Sequence, residues 1–131
     1  MKYLFDTSVW LWSLAAPHRI GREGLSVLAR GDAEFYFSAL SAWEIAIKWA
    51  IGKLPLPEPP ATYVPKRIAE QGILPLPITH HHTLAVSQLP NHHRDPFDRL
   101  LIAQAQTEGM AILTADRAFR LYDVQIVWCG E

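Results

Sequence analysis

Apolar positions along the chain come in short blocks, separated by polar and helix-capping residues, and the blocks alternate in period. Residues 2–5, KYLF, form a brief apolar run closed by Asp6-Thr7-Ser8, residue types that cap a following helix. The pattern predicts a strand over Lys2 to Phe5 and a helix from Val9 to Ala15, stopped before Pro17. A second helix is expected over Gly21 to Arg30, then an aromatic-rich strand over Glu34 to Phe37. Ser38 reads as the cap of a long helix through Lys53, in which Leu40, Trp43, Ile47 and Ile51 recur at helical spacing. Leu54 to Pro60 holds four prolines in seven residues and reads as a connector. A helix follows from about Ala61 to Gln71 despite Pro65, then a strand over Ile73 to Leu76. Thr79 is expected to cap a helix to Leu89, and Pro90 to Pro96 is a polar, histidine-rich loop. The last segments are a helix from Asp98 to Glu108 ended by Gly109, a strand over Met110 to Thr114, a short helix from Asp116 to Leu121 and a strand over Val124 to Trp128. Strands alternating with helices imply an α/β fold: a mainly parallel central sheet flanked by helices.

Length and composition narrow this further. The 131 residues suit one domain spanning 1–131, and an apolar half with 19% charged residues predicts a folded chain. A net charge of −1 gives no electrostatic sign of nucleic-acid binding. Were four acids to hold metal, nine of the 13 would remain against 12 Lys and Arg, leaving about +3 on the rest of the surface. Cys129 is the only cysteine, which excludes an intrachain disulfide; it reads as a buried, inert strand residue. The N-terminal MKYLFDTSVWLWSLAA imitates a signal peptide, but Asp6, Thr7 and Ser8 interrupt its apolar stretch. No uninterrupted apolar run approaches the ~18 residues of a membrane span. A soluble, cytoplasmic protein without membrane association is expected.

Candidate chemistry lies in Asp6, Glu44, Asp98 and Asp116. In parallel α/β sheets ligands bind outside the C-terminal strand ends. Asp6 follows the first strand directly, Asp116 lies just past the fourth, Asp98 opens the helix before it, and Glu44 rides on the helix after the second. Hard divalent cations take oxygen ligands, so this spacing permits a magnesium or manganese site. Each acid alone has a plainer reading: helix capping for Asp6, Asp98 and Asp116, and a surface ion pair with Lys48, four residues on, for Glu44.

The motifs around these acids carry a resemblance. DTSVW, SALSAWEIAIK, HRDPFDRLLIAQA and ILTADRAF, in that order and spanning nearly the whole chain, are similar to those of PIN-domain ribonucleases, and among them the VapC-type toxins of toxin–antitoxin pairs. The resemblance implies a single PIN-like domain. Asp6, Glu44, Asp98 and Asp116 would form an acidic quartet that binds Mg2+ or Mn2+ and activates water to cut RNA by in-line attack on a phosphodiester. It further implies a homodimer and a cognate antitoxin protein. Within the quartet, Asp6 and Asp98 are expected as direct ligands, with Glu44 and Asp116 ligating directly or through water and either accepting the water's proton. Thr7 and Thr114 are candidates for orienting carboxylates or waters, with strand-end capping the other reading. Asp95, three residues before Asp98, is placed behind the quartet, against an ordinary Asp-Pro capping turn. Lys48, Arg99 and Arg117 neighbour quartet members and are candidates for RNA phosphate contacts, against plain surface solvation.

Three rival readings compete with this one. His80 to His82 with His92 and His93 invite a zinc site, but adjacent helical residues diverge by about 100°, so helix-surface and loop histidines are expected instead. An aspartyl-nucleophile phosphatase-like enzyme also opens with an acid after its first strand, yet normally needs a second acid two residues on, where Ser8 stands. A catalytically silent α/β interaction module would suit the five tryptophans, of which Trp10, Trp12, Trp43 and Trp49 lie on the two helices beside the proposed site.

Overall fold

The computed structural model describes residues 1–131. Lys2–Phe5 (β1) is the centre of the molecule because both of its faces are covered: Tyr3, Leu4 and Phe5 are all buried. Around it lie Thr7–Ala15 (α1), Arg22–Leu28 (α2), Glu34–Ser38 (β2), Ala39–Ala50 (α3), Pro60–Glu70 (α4), Leu74–Leu76 (β3), His80–Ala85 (α5), Pro96–Glu108 (α6), Ala111–Thr114 (β4) and Ile126–Trp128 (β5). Short 3-10 turns cover Pro17–Arg19, Val86–Gln88 and Arg117–Leu121. The sheet order is β3-β2-β1-β4-β5, with every neighbouring pair parallel. All five strands therefore end at one edge.

Chain order leaves β1 in opposite directions, towards β2 and β3 on one side and β4 and β5 on the other. The β1–β4 boundary is thus a topological switch point, the place where such sheets bind ligands. Phe5 pairs with Leu113 there, which puts Asp6 beside Thr114. One core on one side of the sheet gathers Phe5, Trp10, Phe37 and Ile45, and the other gathers Leu4, Ile102, Ile112 and Phe119. Trp10 is fully buried and packs on Phe37 with ring centroids 4.6 Å apart, so this tryptophan belongs to the core rather than to an interface.

Element boundaries shift where local chemistry overrides periodicity. The third helix stops at Ala50 instead of Lys53, because Gly52 turns the chain at φ 75° and the Lys53 N–H returns to the Lys48 carbonyl. Pro60 begins α4, where a missing N–H costs nothing, and Pro65 falls at an exposed position within it. No helix is long and apolar enough to cross a membrane.

Candidate active site

Asp6 has the extended backbone of a helix cap, yet its carboxylate makes no capping bond to α1. Its backbone N–H donates to the Leu113 carbonyl, fixing it against β4. The carboxylate instead accepts a 2.7 Å hydrogen bond at Oδ2 from Thr114 Oγ1. That same hydroxyl oxygen accepts from the Asp116 N–H at 3.0 Å, so one threonine side chain sets two acids. Thr7 does something else. Its buried hydroxyl donates to Ser41 Oγ at 2.8 Å, joining α1 to the helix that carries Glu44 one turn later, and no carboxylate is oriented by it.

Glu44 makes the expected pair with Lys48, 2.9 Å at Oε2, but its side chain is only 16% exposed, unlike an ordinary solvated surface pair. Asp98 is spared from capping because Asp95 does that work: Asp95 Oδ1 accepts the Phe97 N–H at 2.9 Å. Asp116 does cap, accepting the Ala118 N–H at 2.9 Å through Oδ1. All four acids line one open cleft of about 750 Å³, together with Asp95, Lys48 and Arg117. Arg99, expected to face phosphate, is bound elsewhere. It donates to the Pro90 carbonyl at 2.8 Å and to the Tyr122 hydroxyl at 3.3 Å, because α6 turns it towards the segment that precedes the helix.

Crowding shows in the electrostatics. Burial raises the Asp6 carboxyl to about 6, with Glu44 and Asp116 adding to the rise while the Thr114 hydrogen bond opposes it. Burial likewise raises Asp98 to about 7, helped by the charges of Asp6, Asp95 and Asp116. Lys48 is pushed up by its bond to Glu44.

His93 was hidden by its place in a polar loop. Its Nε2 lies 2.9 Å from Asp98 Oδ2 and 3.2 Å from Asp116 Oδ2, and one ligand atom from each of the three falls within 4.8 Å of the others. The available signal was its position two residues ahead of the Asp95 cap, from which a ring can fold back over the first helical turn. His82 departs from the surface-histidine expectation in another way. It is buried, with Nε2 2.7 Å from Glu108 Oε2 and Nδ1 accepting the Thr79 N–H, because it closes the capping box of α5. The histidines do not gather into a zinc site.

The donor set suits a hard cation. It is dominated by carboxylate oxygens, and no protein donor reaches Asp98 Oδ1 or Glu44 Oε1, since His93 and Lys48 meet the other oxygen of each. Oxygen donors of this kind match Mg2+ or Mn2+ rather than a soft metal.

Known proteins share this architecture. Ribonuclease VapC16 of Mycobacterium tuberculosis is 59% identical over 76 residues, 53% of this chain and 54% of that protein, so the chain spans about half the length of the curated relative it matches. Among solved structures, VapBC2 of Rickettsia felis bound to a promoter DNA fragment superposes with a TM-score of 0.71 at 14% identity, covering 96% of this chain and 97% of that one. DNA-bound VapBC of Salmonella typhimurium gives 0.69 at 15% identity, covering 96% of each chain. At such low identity these two show a common fold. The family model for the PIN domain matches residues 3–125, and with the parallel sheet and the acids at its switch point, the chain belongs to the PIN domain family.

Proposed function

We propose that this protein is a VapC-type toxin of a type II toxin–antitoxin pair, an endoribonuclease that cuts RNA phosphodiesters with Mg2+ or Mn2+ bound by its acidic quartet. The observation that carries this reading is the convergence of Asp6, Glu44, Asp98 and Asp116 on one cleft at the C-terminal edge of the sheet. The 59% identity with a ribonuclease over half the chain supports it. A divalent cation held there supplies Lewis-acid polarisation of a phosphoryl oxygen and makes water a better nucleophile near neutral pH. Asp6 and Asp98 are assigned as its direct holders. Glu44 and Asp116 would hold it directly or through water, and one of the two would accept the proton that the attacking water loses. Thr114 orients Asp6 and Asp116 from behind, and Asp95 secures the helix that presents Asp98. Lys48 and Arg117, both lining the cleft, meet the RNA phosphates.

The same reading includes a cognate antitoxin protein and a homodimer, acting in the cytoplasm. The α3 helix and the residue that caps it offer a suitable apolar surface, with Trp43 56% and the capping Ile51 60% exposed. The enzymatic part is tested by incubating the purified protein with RNA in Mg2+ or Mn2+. Cleavage that EDTA stops and added Mg2+ restores is expected; cleavage unaffected by EDTA would remove the metal from the mechanism.

A further inference from the structure

His93 stands close enough to two quartet acids to be mistaken for a metal ligand, and its other ring nitrogen decides otherwise. Nδ1 lies 3.2 Å from the Asp95 backbone nitrogen, whose N–H points at it. A backbone N–H has no alternative role: it can only donate. Two donors cannot face each other, so Nδ1 carries the lone pair and the ring proton is assigned to Nε2. An Nε2–H has no lone pair to offer a metal. It is, however, 3.2 Å from Asp116 Oδ2, which accepts its proton, and it lies 2.9 Å from Asp98 Oδ2 in a close polar contact.

We infer that His93 is a positioning residue, whose Nε2–H donates to Asp116 while its ring edge lies against Asp98, and that it takes no place among the metal ligands. This rests on the metal-site reading proposed above and deepens it. The ring itself is fixed from behind. The His93 backbone N–H donates to the Tyr122 hydroxyl at 2.7 Å, and Arg99 donates to that hydroxyl and to the Pro90 carbonyl. Arg99 thereby acts on the site through His93 instead of through substrate. Two like-charged carboxylates repel; one imidazole edge set between them keeps them in register and leaves Asp98 Oδ1 free to turn outward. Partners of this kind orient ligand carboxylates, and their loss commonly lowers metal affinity by about 10–100-fold.

The first test is the imidazole 15N NMR spectrum of the wild-type protein, without metal and with saturating Mg2+. The Nε2–H tautomer of His93 is expected in both; an Nδ1–H tautomer in either would overturn the assignment. In the Mn2+-loaded protein, an electron spin-echo spectrum should lack directly bound nitrogen, and a bound-nitrogen signal would make His93 a ligand. Calorimetric Mn2+ titrations of variants then test positioning. His93→Ala should lose about 10–100-fold in affinity, and His93→Gln, which keeps an N–H donor at similar reach, should recover most of it. An unchanged affinity in His93→Ala would contradict the role. Failure of the wild type to cleave RNA would instead strike the nuclease reading and leave the tautomer result standing, so the two fail separately.

Discussion

Asp6 and Asp98 show how burial and crowding change the acidity of a carboxylate. Their pKa values, about 6 and about 7, stand above the ordinary 3.8. The folded state therefore holds protons that the unfolded chain has already released. The stability that this protonation contributes is full below about pH 4, and is lost as pH rises through 6 and then 7. Metal-free Asp98→Asn, which cannot ionise at that position, should gain in melting temperature relative to wild type as pH goes from 5 to 8. A gap that stays constant across that range in EDTA would show that the carboxyl is not strained by its neighbours. Mg2+ should stabilise the wild type more at pH 8 than at pH 5, because binding must displace those protons. Thr114 acts on two acids at once, so Thr114→Val should cut metal affinity and cleavage by about 10–100-fold. Near-normal titration and turnover in that variant would reduce its hydroxyl to a strand-end bond.

Among the elements, α6 and α2 show constraints that do different work. Asp95 and Gly109 bound α6, the latter at φ 69° as the left-handed residue that ends it. Between them the helix carries both the acid that faces the cleft and the arginine that faces away. Arg99→Met should cost about 1–3 kcal/mol of stability through its lost carbonyl bonds, and amide exchange should quicken over residues 90–93. A change confined to RNA affinity, with stability intact, would return Arg99 to phosphate binding. The second helix packs on the segment that follows β5 so closely that a Cβ on Gly24 would stand 2.6 Å from Cys129 Sγ. Burial also pushes that thiol up to about 12, in keeping with an inert core sulfur. Gly24→Ala should destabilise the protein by about 1–3 kcal/mol through overpacking, as measured by urea unfolding; a neutral result would mean that α2 slides without cost.

Across the whole molecule, the alternating apolar blocks were enough to expect five strands, the helices between them and a mainly parallel sheet, because each strand is read from a handful of adjacent residues. The acids were legible for a related reason: each closes a strand or rides on a helix beside one. Less legible were the bonds between distant segments. Thr7 reaches Ser41, Thr114 reaches Asp6, and His93 reaches Asp116, and no local pattern announces a partner dozens of residues away. Arg99 misled for the opposite reason, since adjacence to Asp98 in sequence becomes divergence on a helix. What joins these parts is the claim that the quartet at the switch point performs metal-dependent RNA hydrolysis. The most direct test compares wild type with Asp6→Asn, each purified free of contaminating nucleases and shown folded by thermal melting. In Mg2+, the wild type should cleave RNA and the variant should not; cleavage at the wild-type rate by the folded Asp6→Asn protein would contradict the claim.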